Sequence, residues 1–524
     1  MLVKDLLKRV TYEVVAGDLS CEAGDICCDT RTVKNGDAFT CIRGVNFDSH
    51  DKLHEIIEAK PALIVISEEW ANTNAEGLSK VASEVAEKHP GVCIVKVPNT
   101  RIAKGLIAAE FYGNPAEKMT IIGVTGHKGK TTTTHILRGM IEAAGEKCGL
   151  VGTNGTFIGD EWFPVKNTTP DSEELQGFLK EMVDRGCKYA VIEVSSQAMK
   201  LDRTAGITFD IGVFMNIEPG DHVAPNEHAT FEEYLYCKGL LLKNSKLALV
   251  CADDSHLDEL LADVETPMMF FGHENEKYRP TYLLSGEHDA EKDGVPGLGF
   301  RVKTIADEGV ADSGVKSAAR PLDEEFYVCM PGLFNAMNGI AAVACANEVG
   351  LPIDAMREAL ERIHIKGRLD MVYVTDELTI CVDIAHNGYS TQNLLEALRA
   401  YNPKRLVCVF GADGNRAYER RTGMGEAAGN YADFSIVTAG HNRLETFEEI
   451  FKGIKEGLDR TDGKYIVIPD RRTAIRKAIF ESEPGDLIAI CGFGNFRYID
   501  ENGVKTPYND EEFALEVIEE WKGR

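Results

Sequence analysis

The sequence lacks long hydrophobic runs, closely spaced cysteine pairs and an excess of basic residues. None of its apolar runs approaches the ~20 residues that a membrane-spanning helix needs. Its 14 cysteines are scattered, apart from Cys27 and Cys28, and form no C-x-x-C pair. The 84 acidic residues outnumber the 57 basic ones, and the resulting net charge of -27 would repel a nucleic-acid backbone. We therefore expect neither a membrane nor a nucleic-acid partner.

The first residues and the cysteine usage predict a cytoplasmic protein. The opening run, MLVKDLLKRVTYEVV, is interrupted by charges too early for a signal peptide. Single, scattered thiols suit a reducing compartment.

The order of apolar runs predicts α/β domains. Short strand-like runs alternate with helix-like periodicity, which is typical of parallel sheets. The predicted strands are Leu63–Ile66, Cys93–Val97, Met119–Val124, Ala190–Val194, Ile211–Ile217, Leu247–Cys251, Ile380–Ile384, Leu406–Phe410, Phe434–Val437, Tyr465–Ile468 and Leu487–Cys491.

The length of 524 residues indicates about three domains. We place them at 1–115, 116–365 and 366–524. The first boundary follows Tyr112-Gly113-Asn114-Pro115, which would break a helix, and the second precedes Lys366-Gly367-Arg368, a possible hinge. Residues 276–330, rich in Gly, Asp, Glu and Pro, predict an irregular or β-rich insertion in the middle domain.

The segment GVTGHKGKTTTT, residues 123–134, resembles a phosphate-binding loop. Such a loop needs glycines that let backbone N–H groups converge on phosphate oxygens, a lysine, and a Ser/Thr hydroxyl for Mg²⁺. These parts are supplied by Gly126, Gly129, Lys130, Thr131 and Thr132. A chance Gly-Lys-Thr turn is the alternative, but a predicted strand precedes the segment and a predicted helix, Thr133–Ala144, follows it. The absence of an Asn-Lys dipeptide disfavours a GTPase, so we expect ATP.

Three polar residues of the middle domain could complete this site. Glu193 stands at the end of a predicted parallel strand, where ligands bind in such sheets. His222 follows the next strand. Lys238 lies two turns into a helix that we expect to begin with a capping box at Thr230 and Glu233. A surface ion pair and a solvated lysine remain the alternative.

Several motifs in this order resemble the Mur ligases, the ATP-dependent amino-acid-adding enzymes of peptidoglycan synthesis. They are TGHKGKTTTT, IEVSS, YLYCKGLLL, GLFNAMNG, HIKGRLD and VDIAHN. The resemblance runs from DTR at 29–31 to CGFGN at 491–495 and is closest to the group that adds the third residue of the stem peptide. It implies three domains: an N-terminal UDP-sugar-binding domain, a central P-loop ATPase domain with a mostly parallel sheet, and a C-terminal Rossmann-like domain.

The resemblance also implies roles for the ATP and metal residues. Lys130 and Thr131 would bind the β/γ-phosphates and Mg²⁺, and Glu193 with His222 would hold a second Mg²⁺. Lys238 falls where the family has a lysine carbamylated by CO₂, which can then serve as an anionic ligand. Asn338, Arg368 and Asp383 would contact the rest of ATP, and His386 and Asn387 occupy the same loop as Asp383.

Further matches concern the two substrates. The residues that would bind the UDP-sugar dipeptide are Thr30, Asn46, Asn167, Thr168, Thr169, Ser195 and Arg203, although ordinary loop chemistry could explain the N-terminal ones. The amino-acid pocket departs from the pattern of the enzymes that add meso-diaminopimelate. Asp-Asn-Pro-Arg is replaced by Gly440-His441-Asn442-Arg443, and Gly-Lys-Gly-His-Glu by residues 492–496, GFGNF. We expect Arg416, His441 and Arg443 to bind the amino acid, and a surface role for Arg443 is the alternative.

The resemblance predicts a monomeric ligase that extends UDP-N-acetylmuramoyl-L-Ala-D-Glu through an acyl phosphate, using ATP and Mg²⁺. The added residue would be a diamino acid such as L-lysine or meso-diaminopimelate. Two alternatives stay open. One is a related ligase with another acceptor, like folylpolyglutamate or cyanophycin synthetases. The other is a P-loop ATPase that does not ligate, which would have no need of a second metal site beside Lys238.

Overall fold

The computed structural model describes residues 1–44, 47–219, 223, 227–305 and 319–523. Two compact units divide the chain, and it passes from one to the other near Phe270. In the described residues, no helix is both long and apolar enough to cross a membrane. The predicted boundaries at 115 and 365 stay predictions.

The first unit contains two sheets and ten α-helices within its described residues. Its strands are β1 (Glu13–Ala16), β2 (Ile26–Cys27), β3 (Ala38–Thr40), β4 (Leu63–Ser67), β5 (Cys93–Val97), β6 (Thr120–Thr125), β7 (Cys148–Gly152), β8 (Gly155–Ile158), β9 (Glu161–Phe163), β10 (Tyr189–Glu193), β11 (Phe209–Phe214) and β12 (Ser245–Cys251). Its helices are α1 (Val3–Leu6), α2 (Leu53–Glu58), α3 (Glu68–Thr73), α4 (Ala75–Lys88), α5 (Thr100–Phe111), α6 (Lys130–Ala143), α7 (Ser172–Asp184), α8 (Ser196–Lys200), α9 (Phe231–Lys243) and α10 (Leu257–Leu260).

Parallel pairing dominates both sheets of this unit. The N-terminal sheet has the order β1-β5-β4-β3-β2, and only β1 is antiparallel to its neighbour. In the second sheet, β12, β11, β6, β10 and β7 are parallel neighbours, and the antiparallel strands β8 and β9 extend the edge. The central strand β6 is buried along nearly its whole length because helices cover both faces of a parallel sheet.

The second unit begins within β13 and contains the following elements. Its strands are β13 (Met268–Gly272), β14 (Tyr282–Lys292), β15 (Val295–Thr304), β16 (Asp323–Val328), β17 (Asp370–Val374), β18 (Leu378–Asp383), β19 (Arg405–Phe410), β20 (Phe434–Val437), β21 (Tyr465–Val467), β22 (Asp486–Cys491), β23 (Tyr498–Glu501) and β24 (Val504–Pro507). Its helices are α11 (Phe334–Glu348), α12 (Ile353–Arg362), α13 (Gly388–Leu398), α14 (Tyr418–Tyr431), α15 (Phe447–Leu458), α16 (Arg471–Phe480) and α17 (Asp510–Lys522). Short 3₁₀ turns occupy Ser49–Lys52, Pro115–Lys118 and Arg399–Tyr401.

The C-terminal part of this unit is built on one six-stranded sheet. Its order is β17-β18-β22-β19-β20-β21, and only β17 is antiparallel to its neighbour. Apolar residues of the central strands form a core with α16 and α17. A hairpin of β23 and β24 follows the sheet. Between β13 and α11, the strands β14, β15 and β16 form an antiparallel meander, so the predicted β-rich insertion is found where the structure describes it.

The mixed α/β fold with mostly parallel sheets is confirmed. Each predicted strand is present, most of them with ends displaced by a few residues. The expected helix break is also present, because α5 ends at Phe111 and Asn114 has a φ of 51° just before Pro115. The prediction of a capping box formed by Thr230 and Glu233 was wrong. Thr230 does cap α9 by accepting from the Glu233 N–H, but the Glu233 carboxylate accepts from the Ala229 N–H instead and pairs with Lys200.

Candidate active-site residues

The loop between β6 and α6 has the form of a phosphate cradle. Gly129 is the residue before α6 and has a φ of 87°, a left-handed conformation that favours glycine. The Lys130 ammonium lies inside the turn and donates to the carbonyls of Gly126 (2.7 Å) and His127 (3.2 Å). Thr131 and Thr132 follow in the first helical turn and are buried. The N-terminus of α6 therefore presents N–H groups and a lysine to one place, as an anion site requires.

Asn216, a residue that sequence reasoning missed, holds this loop in place. Its side-chain oxygen accepts from the Lys128 N–H (2.8 Å), and its amide donates to the Lys128 carbonyl (3.3 Å). The His127 N–H donates to the Asn216 backbone carbonyl (2.8 Å). Because Asn216 follows β11, the loop is tied to the neighbouring strand end of the sheet.

The Glu193 carboxylate lies at the C-terminal end of β10 and is fully buried. It accepts hydrogen bonds from the Thr131 hydroxyl (3.0 Å), the Thr153 N–H (3.0 Å) and the Thr153 hydroxyl (3.0 Å). A Cβ on Gly152 would lie 2.1 Å from Glu193 Oε1, so glycine is required beside it. The structure thus places Glu193 beside the phosphate loop and adds Thr153 to this group.

A second polar group lies beside the backbone of Glu193. The Thr169 hydroxyl donates to the Glu193 carbonyl (2.8 Å) and accepts from the Ser195 N–H (3.0 Å). The Arg203 guanidinium donates to the Thr169 carbonyl (3.0 Å), and burial lowers the pKa of this guanidinium. Thr168 bonds the Thr153 hydroxyl (3.1 Å). The predicted dipeptide-binding residues Thr168, Thr169, Ser195 and Arg203 are therefore contiguous with the Glu193 group.

Lys238 is fully buried in α9, with its ammonium 4.8 Å from the Tyr234 ring centroid. Burial lowers the pKa of Lys238 well below its ordinary value, and the nearby Lys130 lowers it further, while Asp254 opposes both effects. Asp254 also accepts from the Ile217 N–H (2.7 Å). Ile217 follows β11 and is the chain neighbour of Asn216, which binds the phosphate loop. Sequence reasoning found Lys238 and missed Asp254.

Two predicted residues, Asn46 and His222, lie outside the described residues. Thr30, in the N-terminal DTR segment, is half-buried, and Asn167 is exposed. In the described ranges, no group of three His, Cys, Asp or Glu side chains is arranged to hold a metal ion. Thr131 and Glu193 fit Mg²⁺. The Thr131 hydroxyl and the Glu193 carboxylate lie 3.0 Å apart, and both offer the oxygen ligands that this ion prefers.

In the second unit, the turn that contains Arg368 is bound to Asp383 through the neighbouring residue Leu369. Gly367 (φ 70°) and Leu369 (φ 45°) flank Arg368 in left-handed conformations, which makes a sharp turn there. The Asp383 carboxylate accepts from the N–H groups of Leu369 (2.7 Å) and Ala385 (2.7 Å). The predicted hinge segment is thereby bound to the end of β18.

Asn338 and the loop after β18 are also ordered by local hydrogen bonds. Asn338 is buried in α11 and donates to the Asn335 side chain (3.1 Å). His386 bonds the Ile384 carbonyl (2.8 Å), and Asn387 caps α13 in a capping box with Ser390. The side chains of His386 and Asn387 thus have a structural role in this loop.

The three predicted amino-acid-binding residues lie on two adjacent loops of the C-terminal sheet. Arg416 belongs to the loop after β19, and His441 and Arg443 belong to the loop after β20. The Arg443 guanidinium donates to Asp413 (3.2 Å), and the Gly414 N–H donates to the His441 carbonyl (2.8 Å). Sequence reasoning missed Asp413, whose carboxylate pairs with Arg443.

Two protein-family models match this chain. The Mur ligase middle domain matches residues 124–346, and the Mur ligase glutamate ligase domain matches residues 367–494. A UDP-N-acetylmuramoyl-L-alanyl-D-glutamate--2,6-diaminopimelate ligase of Caldanaerobacter subterraneus subsp. tengcongensis is 34% identical over 521 residues, which cover 99% of each chain.

Solved structures show the same fold. A structure of a UDP-N-acetylmuramoyl-L-alanyl-D-glutamate--2,6-diaminopimelate ligase aligns with a TM-score of 0.64 and 22% identity, covering 100% of this chain and 99% of the other. The MurF ligase of Thermotoga maritima in complex with ADP aligns with a TM-score of 0.59 and 18% identity, covering 95% and 97%.

Proposed function

The chain belongs to the Mur ligase family, and from that premise we propose that it joins 2,6-diaminopimelate to UDP-N-acetylmuramoyl-L-alanyl-D-glutamate. The predicted resemblance and the predicted ligase activity are confirmed. The identity of the third residue, which the sequence left between diamino acids, is taken from the names of the relatives. The observation that carries the proposal is the hydrogen-bonded group of Thr131, Thr153 and Glu193 beside the phosphate loop.

ATP is the phosphoryl donor in this proposal. The glycine turn, Lys130 and the N-terminus of α6 would hold its phosphates, and the related ligase structure with ADP supports a nucleotide in this fold. Asn338 and Asp383 would contact the adenine and the ribose, and Arg368 would lie near ATP at the hinge. Mg²⁺ would supply charge neutralisation at the phosphates. Thr131 would hold one ion, and Glu193, His222 and the carbamylated Lys238 would hold a second.

Lys238 suits the proposed carbamate because its burial favours the neutral form of the amine. A neutral amine nitrogen can attack CO₂, forming an N–C bond and releasing a proton, whereas an ammonium has no lone pair for this step. Burial lowers the pKa of Lys238 and so keeps the nucleophile available. The product would be an anion that offers oxygen atoms to Mg²⁺.

The acceptor substrate would lie along residues that the structure joins to Glu193. Thr168, Thr169, Ser195 and Arg203 are linked by hydrogen bonds, and Asn167 lies next to them in the chain. Thr30 and Asn46 would contact the uridine end. We retain the proposed domains 1–115 for the UDP-sugar, 116–365 for ATP and 366–524 for the amino acid, and we propose a cytoplasmic monomer.

The reaction couples ATP to an amide bond because a carboxylate is a poor electrophile. The γ-phosphoryl group moves to a substrate carboxylate and gives an acyl phosphate with a good leaving group. The amine of the incoming amino acid then attacks the acyl carbon, and phosphate leaves. Lys130 would stabilise the transferring phosphoryl charge, and the protein's main contribution is to position two anions that repel each other.

The test is phosphate release by the purified protein with ATP, Mg²⁺ and UDP-N-acetylmuramoyl-L-alanyl-D-glutamate, across a panel of amino acids with product masses read out. We expect release that requires both the nucleotide-sugar and 2,6-diaminopimelate, with the matching mass gain. Release without any acceptor would support the non-ligating ATPase, and release with folate or peptide acceptors only would support the related ligases.

A further inference from the structure

We propose that Asp370 and His364 form a positioning pair that fixes the turn at 365–368 and so places Arg368 for ATP. We refer to residues 365–368 as the Arg368 turn. The inference rests on the proposed function, in which Arg368 lies near ATP, and it names the residues that hold Arg368 there. It is carried by one buried carboxylate that is hydrogen-bonded both to the turn and to the residue before it.

The Arg368 turn is closed by its own backbone and packed against two other loops. The Arg368 N–H donates to the Ile365 carbonyl (3.0 Å). Gly367 has a φ of 70°, and a Cβ there would lie 2.3 Å from the backbone nitrogen of Asn495, so glycine is required. The Ile384 N–H donates to the Gly367 carbonyl (3.1 Å). The backbone that leads into Arg368 is therefore fixed by contacts from elsewhere in the chain.

The backbone on the other side of Arg368 is strained. Leu369 has a φ of 45°, a left-handed conformation that is unfavourable for a residue with a Cβ. The Asp383 carboxylate accepts from the Leu369 N–H (2.7 Å) and so stabilises this conformation. Because Leu369 alone separates Arg368 from Asp370 in the chain, a displacement of Asp370 would also displace Arg368.

Asp370, the first residue of β17, holds the turn through its buried carboxylate. Oδ2 accepts from the Gly367 N–H (2.9 Å), and Oδ1 lies 2.7 Å from Nε2 of His364. A buried carboxylate is stable only when hydrogen bonds or an opposite charge replace its lost hydration. The Gly367 N–H and the His364 ring provide this replacement, so the position of the carboxylate depends on both of them.

The His364 ring is mostly exposed, and its pairing with Asp370 depends on pH. The hydrogen bond to Asp370 raises the pKa of His364 above its ordinary value, partial burial opposes this shift, and Glu511 of α17 raises the pKa further. Lys366 lowers the pKa of His364, although Lys366 itself pairs with Glu511 at 3.2 Å. Below the raised pKa the imidazolium makes a charge-assisted hydrogen bond, and above it only a neutral hydrogen bond remains. The hold on the Arg368 turn therefore weakens as the pH rises.

The experiment measures the KM for ATP with the full-length protein, Mg²⁺, the nucleotide-sugar and 2,6-diaminopimelate, between about pH 6 and about pH 8.5, where histidine titrates. In Asp370→Asn, the amide oxygen can still accept from the Gly367 N–H, but the amide N–H groups then face His364. These groups repel an imidazolium and can donate to a neutral ring. We expect a KM about tenfold above that of the wild type at the lower pH and within about threefold of it at the higher pH.

A double-mutant cycle shows whether Asp370 acts through Arg368. Arg368→Ala alone should raise the KM for ATP about tenfold, because it removes the group that is positioned. Adding Asp370→Asn to Arg368→Ala should then change that KM by less than about twofold at either pH. Asp376→Asn is the matched control, since Asp376 is exposed in the turn between β17 and β18 and should leave every KM unchanged.

His364→Gln tests the pair at an exposed side chain, and it keeps the inference testable even if Asp370→Asn folds poorly. Glutamine retains an N–H donor for Asp370 but does not titrate. Its KM for ATP should be about threefold above that of the wild type at the lower pH, where the wild type has the ion pair, and equal to it at the higher pH. The KM for the nucleotide-sugar should stay unchanged in every variant.

A ratio of the Asp370→Asn KM to the wild-type KM that does not change with pH would overturn the inference, as would a comparable further increase in the Arg368→Ala background. An equal rise in the KM for the nucleotide-sugar would also overturn it, because the effect would then be a general loss of structure. An unchanged KM for ATP in Arg368→Ala would overturn the inference while leaving the proposed ligase intact. Absence of nucleotide-sugar-dependent phosphate release by the wild type would instead overturn the proposed function, and this inference with it.

Discussion

The hydroxyl of Thr131, in the first turn of α6, donates a hydrogen bond to the Glu193 carboxylate at the end of β10, with 3.0 Å between Oγ1 and Oε2. The two residues are 62 positions apart in the chain. Parallel pairing of β10 with β6 brings them together, because strand ends of a parallel sheet meet at one edge. This contact joins the phosphate loop to the proposed Mg²⁺ ligand.

Lys130→Ala should reduce kcat by about 10²–10³-fold, the loss typical of removing one preorganised charge-stabilising donor. The lysine ammonium now lies inside the loop that would cradle the phosphates. Phosphate release at saturating substrate concentrations measures the effect. Lys188→Ala is the matched control, because Lys188 forms an exposed ion pair with Glu146 away from this loop. A similar kcat in both variants would contradict the role of Lys130.

Glu193→Gln should raise the Mg²⁺ concentration for half-maximal activity about 10-fold or more, because an amide cannot replace a carboxylate as an anionic ligand. Glutamine keeps the size of the side chain, so the thermal unfolding midpoint should change little in comparison. A Mg²⁺ titration of phosphate release measures the shift. Glu181→Gln, at an exposed ion pair with Arg185, should behave like the wild type. An unchanged Mg²⁺ dependence for Glu193→Gln would rule out Glu193 as a ligand.

Lys238→Met should stabilise the protein in bicarbonate-free buffer at neutral pH. The pKa of Lys238 lies well below 10.5 in the folded chain, and the unfolded chain has the ordinary value. Between these two values the unfolded state binds one more proton, so wild-type stability rises with pH. The gain in the variant should therefore shrink as the pH rises toward 10.5.

Thermal unfolding of wild type and variant across this pH range checks the prediction for Lys238. Lys243→Met is the control on the same helix, because Lys243 is partly exposed and pairs with Asp263. A gain in stability that does not depend on pH would mean that improved packing, and not the lowered pKa, explains the result. Activity of Lys238→Ala restored by a short-chain carboxylic acid would separately support the carbamate.

Arg471→Ala should lower the free energy of unfolding by about 3–5 kcal/mol, because it leaves the buried Asp510 carboxylate without its cation. Both side chains of this pair are almost completely buried, and Arg471 also donates to the Cys491 carbonyl (2.9 Å). Denaturant titration measures the loss. Arg476→Ala, on the same helix and exposed with Glu520, should remain close to the wild type. Equal losses in both variants would contradict a special role for burial.

Arg443→Ala should raise the KM for the amino acid about 10-fold or more while changing the KM for ATP little. The guanidinium belongs to the loop that carries His441, and it pairs with Asp413. Its removal would leave the negative charge of Asp413 unpaired, and this charge would repel the carboxylate of the amino acid. Steady-state kinetics with each substrate varied in turn distinguishes the two effects. An unchanged KM for the amino acid would mean that Arg443 does not bind this substrate and is an ordinary surface residue.

The strongest local patterns in the sequence were good predictors of the fold. β5 and β20 begin and end where their apolar runs predicted, and the phosphate loop has its left-handed glycine at Gly129. Such features depend on neighbours in the chain. The capping box at Thr230 failed because Lys200, from another helix, pairs with Glu233, and no local pattern contains that contact.

The sequence by itself determined the parallel α/β architecture, the phosphate loop and the family, because these depend on periodicity and on residues close together in the chain. Only the tertiary structure decided that Thr153 completes the Glu193 group, that Asp413 pairs with Arg443 and that Asp500 lies against His441. The last contact joins residues separated by 59 positions. Hydrogen bonds and burial act over a few ångströms, so partners brought together by strand pairing leave no signal in the spacing of a single sequence.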